Sequence, residues 1–197
     1  MNLFYMLEKL REESKGIENC LKVIPTKNIK TEKAIVESLT KLAYFLFVND
    51  ENNDVILICD ELSKIEFKND YDYWTWVEYA LALRAEISEQ NGNKIKQVES
   101  VRLIEDALIS GEGLPKKIRG NVHKRFMDGE GVALNSNEEE EGLDARLIYL
   151  MRLIKLKSLG GSEKYTLVKA SVNIIENKKI MKGMFETKAK GISLLFK

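Results

Sequence analysis

The chain has 197 residues, 44% of them hydrophobic, enough to fill a real core and too many for a disordered segment. Its 31 Lys+Arg balance 31 Asp+Glu, so no global positive field draws it to nucleic acid. Two cysteines, Cys20 and Cys59, are too few to staple a secreted scaffold and match no metal-ligand spacing, which predicts reduced core thiols and a cytoplasmic protein.

The N-terminal MNLFYMLEKLREESKG carries charges by position 8, with no basic leader or apolar span, so no signal peptide or membrane helix is expected. Apolar residues then recur at three- and four-residue spacing almost throughout, and only Pro25 and Pro115 interrupt. The expectation is an all-α protein of seven to eight helices in antiparallel hairpins, tetratricopeptide-like or an irregular helical bundle, forming one domain over 1–197. A first helix runs from Leu3 to about Val23, with Met6, Leu7, Leu10, Ile17 and Leu21 on its stripe, and stops before Pro25. Thr31 caps a second, which carries Ala34, Ile35, Leu39, Leu42, Ala43 and Leu46 and ends in VNDENND. A third spans about Asp54 to Ile65, with Val55, Ile58, Cys59 and Leu62 facing inward.

The fourth helix begins in NDYDYWTWVEYALALRAEI, residues 69–87, where five of the chain's sixteen aromatic residues fall between Tyr71 and Tyr79. At about 100° per residue, Tyr73, Trp76, Val77, Ala80, Leu83, Arg84 and Ile87 share one broad face, and Trp74 lies about 160° from Trp76. One helix face cannot centre on both tryptophans. Either the helix lies between two neighbours, or Trp74 and adjacent tyrosines line an exposed edge as anchors for a partner. Base stacking is disfavoured because Asp70, Asp72 and Glu78 would repel phosphate.

Beyond NGN at 91–93 a fifth helix carries Val98, Val101, Ile104, Ala107 and Leu108 and stops at SGEG; Pro115 opens a sixth. A seventh runs from about Glu138 to Leu159 with Leu143, Leu147, Leu150, Met151 and Ile154, and Gly160-Gly161-Ser162 breaks the chain before an eighth. Apolar residues in the last stretch fit neither period cleanly, so 178–197 reads as a helix or a docked C-terminal tail.

Catalytic patterns are sparse. His123 is the sole histidine, no GxSxG, HExxH or phosphate-loop sequence accompanies it, and the GEG triplets at 111–113 and 129–131 lack a strand-to-helix setting. The run 138–141 with Asp144, and Asp60 with Glu61, reads more simply as acidic first turns and solvated edges than as paired catalytic carboxylates. No enzyme activity, metal or cofactor is expected. Charge is nonetheless segregated: acids crowd Asp50 to Glu78, while Lys116, Lys117, Arg119, His123, Lys124 and Arg125 cluster in one short stretch. Such polarity suits protein recognition, and the expected contact surface comprises Asp50, Glu51, Asp54, Asp70, Tyr71, Asp72 and Trp74, with Trp76 structural.

Two classes of function fit. The spacing Leu42, Ala43, Leu46 followed by Val55, Cys59, Leu62 approximates the interlock of a tetratricopeptide helix pair, without its Trp, Gly and Pro positions; that would make an adaptor gripping a peptide in a helical groove. Through LAYFLFVNDENNDVILICDEL, YDYWTWVEYALALRAEI and DARLIYLMRLIKLKSLGGSEKY, the chain as a whole resembles the helical immunity proteins of bacterial contact-dependent inhibition and other polymorphic toxin loci. That resemblance implies an inhibitor that covers the active site of one cognate toxin, often a basic nuclease, with acidic and aromatic groups.

Overall fold

The computed structural model describes residues 2–13, 31–68, 71–110, 143–158 and 173–186. Among these there are seven α-helices and no strands, as the period of the sequence requires. They are α1 (Leu3–Glu13), α2 (Glu32–Val48), α3 (Asn52–Leu62), α4 (Tyr71–Gln90), α5 (Lys94–Ser110), α6 (Leu143–Ser158) and α7 (173–186). The expected continuation of the first helix past Glu13, the basic helix from Pro115 and the Gly160-Gly161-Ser162 break lie outside the described residues.

Helix starts follow capping chemistry. The Asn2 carboxamide oxygen accepts from the Phe4 N–H at 2.9 Å, the Thr31 hydroxyl from Ala34 N–H at 3.2 Å, and the Asn93 side chain from Lys96 N–H at 3.1 Å. Two hairpin turns are built alike. After α2, Glu51 N–H donates to Leu46 C=O and Asp50 N–H to Phe47 C=O; after α4, Asn93 N–H donates to Ser88 C=O and Gly92 N–H to Glu89 C=O. This is the Schellman pattern, which needs a left-handed residue just past the helix. Gly92 supplies it at φ 71°, and Asp50 adopts φ 67°, where a short polar side chain is tolerated better than most.

The hairpins α2–α3 and α4–α5 pack side by side, and α4 sits at the centre, touching α2, α3, α5 and α6. Every residue from Val77 to Ser88 is buried. A helix enclosed on all sides needs no amphipathic stripe, which explains why its aromatic residues point in several directions. Two hydroxyls from α2 clamp it: Tyr44 Oη donates to Tyr79 C=O at 2.8 Å and Thr40 Oγ1 to Trp76 C=O at 3.1 Å. α1 lays Met6, Leu7 and Leu10 against α2.

α6 rests on α4 and touches α2. Leu147, Leu150, Met151 and Ile154 are fully buried there. Residues 178–186, left open as helix or docked tail, are the end of helix α7. α7 docks through Phe185 edge-on to Phe45 at 5.9 Å, through Met181, and through buried Asn177, whose Nδ2 donates to Arg146 C=O at 3.0 Å. No described helix is long and apolar enough to cross a membrane.

Candidate functional site: the outer face of the third helix

α3 turns Val55, Ile58, Cys59 and Leu62 into the core, leaving the opposite side to solvent. Asp54, Leu57 and Glu61 fall within about 60° of one another on the helical wheel, with Glu51 exposed just ahead of them. Leu57 keeps 43% of its surface exposed at the centre of this acidic face. Glu61 accepts from Lys64 at 2.6 Å, and that hydrogen bond holds its carboxyl below the ordinary range. An exposed leucine with Glu51 and Asp54 on one side and the Glu61–Lys64 ion pair on the other offers a small apolar contact beside acidic charge.

Of the residues expected from sequence, Glu51 and Asp54 lie on this face. Asp50 does not: it turns to α7 and accepts from Lys178 at 2.9 Å and Lys182 at 2.8 Å. Hydrogen bonds from Lys182 and then Lys178 hold its carboxyl below the ordinary value, so its charge is shared with α7. Asp70 lies outside the described residues, as do the side chains of Tyr71 and Asp72. The aromatic helix lies between neighbours, the first of its two expected readings, and the contact role expected of Trp74 and the structural one expected of Trp76 are exchanged. Trp74, expected at an exposed edge, is only 3% exposed, packed at 5.4 Å against Phe67. Trp76, expected at the packing centre, is half-buried, with the Lys41 ammonium 5.1 Å above its ring and Tyr79 at 6.1 Å. A wheel drawn for one helix omits what the preceding chain covers, and Phe67 in the connector folds over Trp74.

Much of the acid-rich stretch is neutralised inside the fold. Asp60 accepts from Arg84 Nε at 2.7 Å and Lys96 Nζ at 2.8 Å, joining α3, α4 and α5. Partial burial pushes the Asp60 pKa up, but the bonds from Lys96 and Arg84 outweigh it and the net shift is downward. Arg84, itself buried, also donates to Glu99 at 2.8 Å and Ser100 at 3.0 Å. Glu78, expected to repel phosphate from the surface, is buried and accepts from Lys155 of α6 at 2.5 Å. Burial pushes the Cys59 thiol far up, so it stays protonated and packs as an apolar group.

A second concavity opens where α2, α4, α6 and α7 meet. It encloses about 310 Å³ between Phe47, Glu86, Gln90, Lys157, Ile174 and Lys178. Its polar groups already answer one another: buried Glu86 accepts from Lys157 at 2.6 Å and Gln90 at 2.9 Å, Lys157 also pairs with Glu89 at 3.0 Å, and Lys178 Nζ stands 4.0 Å over the Phe47 ring. Burial alone would lower the Lys157 pKa, yet Glu86 and Glu89 raise it overall. The arrangement joins helices together and presents no charge for a ligand to satisfy. Among the described residues no three His, Cys, Asp or Glu side chains stand where a metal ion could be held.

The family model described as Family of unknown function (DUF6707) matches residues 1–183. The chain belongs to this family. No curated protein and no solved structure matches it. Within this DUF6707 chain, the residue that sequence reasoning missed is Leu57. Its signal was present: it falls off the inward stripe Val55, Ile58, Cys59, Leu62, with acids one turn to either side at Asp54 and Glu61.

Proposed function

We propose that this DUF6707 chain is an immunity protein: it binds one cognate bacterial toxin domain, a basic nuclease, in the cytoplasm and covers its active site. The action is stoichiometric binding, not turnover. The observation that carries this reading is the α3 face, where exposed Leu57 stands among Glu51, Asp54 and Glu61. A net charge of zero gives such a protein no general attraction for cations, so a local acidic face supplies the complementarity to a nuclease that must itself hold phosphate. Carboxylates speed encounter, and desolvation of a leucine slows release. The groove-binding alternative has less support, because the polar groups of the concavity between α2, α4, α6 and α7 already pair with one another.

The test is co-expression with the toxin domain encoded by a neighbouring reading frame. Wild-type chain should protect the host from that toxin, and Glu51→Lys with Asp54→Lys should abolish protection while leaving the fold intact by circular dichroism. Full protection by the folded double variant would reject the α3 face. An inability of the wild type to protect against any neighbouring toxin would reject the immunity reading itself.

A further inference from the structure

The turns after α2 and α4 share one hydrogen-bond pattern but differ in the residue that must adopt the left-handed conformation. Gly92 does so at φ 71° with no Cβ to strain, whereas Asp50 does so at φ 67°, alone among the described non-glycine residues. Glycine at position 50 would close the turn more easily, by about fivefold. What aspartate adds is a carboxylate, and one helix engages both of its oxygens: Lys178 Nζ donates to Oδ1 at 2.9 Å and Lys182 Nζ to Oδ2 at 2.8 Å. These lysines stand one turn apart on α7, and Lys178 also lies over the Phe47 ring at the end of α2. A carboxylate placed where glycine fits better, and used by a distant helix, points to that contact as the role of the strained residue.

α7 is held along one stripe. It buries Ile174, Met181 and Phe185 and leaves Ile175, Lys179 and Ile180 exposed, whereas the middle of α4 is enclosed on every side. An element with a single buried stripe opens more readily than the core on which it lies. We propose that α7 is a releasable strap across the end of α2 and that Asp50 is its latch. In the open form α7 has left as a unit while the hairpins stay folded, uncovering Phe45, Phe47 and the concavity beside them. The Asp50 side chain is 60% exposed, so the latch is shallow and salt screens it. The inference does not rest on the immunity reading, since it concerns how the chain holds its own last described helix.

Native-state hydrogen exchange of the full chain, read by mass spectrometry on peptides covering α7 and the middle of α4, provides the test. In the wild type the α7 peptide should exchange at least about tenfold faster than the α4 peptide. Asp50→Gly should speed α7 exchange by about three- to fivefold yet leave the urea midpoint unchanged or higher, because the same substitution relaxes the turn. An ordinary structural role for Asp50 would instead lower the midpoint as α7 loosens, and that result would overturn the latch. Sodium chloride at about 0.5 M should speed α7 exchange in the wild type and change it little in Asp50→Gly. Lys182→Met should reproduce the acceleration in the wild type and add little to Asp50→Gly, as a shared contact requires. An α7 that exchanges no faster than α4 would overturn the strap, and so would an Asp50→Gly chain whose α7 exchanges as in the wild type.

Discussion

Replacing Lys155 by methionine should destabilise this protein more than almost any other loss of one charge. The Lys155 side chain is 9% exposed and that of its partner Glu78 is 1% exposed, with 2.5 Å between Nζ and Oε2. Removing the ammonium strips the cation from a carboxylate that cannot reach bulk water, a loss of about 3–5 kcal/mol. It also removes the cation that stands 5.1 Å from the Tyr79 ring centroid. For a chain of this size, that translates into a melting temperature lower by about 6–20 °C. The compensating double variant, Glu78→Leu with Lys155→Met, places two apolar side chains of similar volume between α4 and α6. It should recover most of the loss, because exchanging a whole buried pair for hydrophobic groups is often neutral or favourable. Urea unfolding followed by far-ultraviolet circular dichroism completes the double-mutant cycle. A cost below about 1 kcal/mol for Lys155→Met would mean that the pair is hydrated, and the description of α4 as enclosed by α6 would be wrong.

Trp74→Ala should cost about 3–5 kcal/mol in the same assay and Trp76→Ala clearly less, the order following from which indole is buried. Equal costs would contradict the cover that Phe67 provides. Asp60 governs an acid limb: its folded pKa lies below its ordinary value of 3.8, so its stabilisation is complete above that value and is lost as pH falls through the folded pKa. Asp60→Asn should therefore lower stability at neutral pH and flatten the decline on acidification; an unchanged acid limb would remove Asp60 from the network. Cys59, buried with its thiol kept protonated, should react with an aromatic disulfide reagent only on unfolding when Cys20→Ser removes the other thiol. Prompt reaction in the native protein would contradict its burial.

Helix content and most helix limits were legible because three- and four-residue spacing, the Thr31 cap and the NGN turn are local signals, and short-range chemistry decides them. The inward sets Val55, Ile58, Cys59, Leu62 and Leu147, Leu150, Met151, Ile154 were likewise readable from spacing alone. What failed depends on contacts that the wheel of a single helix omits. Trp74 is covered by a connector residue, Asp50 is taken by lysines 128 and 132 positions later, and Val98 faces outward because α5 packs through smaller Ser100 and Ala107. Ser100 reads as a surface residue until Arg84 arrives to use its hydroxyl. α7 was obscured because Lys178 and Lys182 break its apolar stripe, and their role becomes visible only beside Asp50. The candidate face was half legible: Glu51 and Asp54 followed from the crowding of acids, whereas Leu57 carries only the weak signal of one leucine off the inward stripe.

The most direct test is titration calorimetry of the purified chain against the catalytic domain of the toxin proposed as its partner, comparing wild type with Leu57→Ala. Leu57 is exposed, so the substitution leaves the core untouched, and a central hot spot should lose about 2 kcal/mol, roughly a thirtyfold weaker complex. Wild-type affinity in a folded Leu57→Ala chain would contradict the assignment of the α3 face as the surface that holds the toxin.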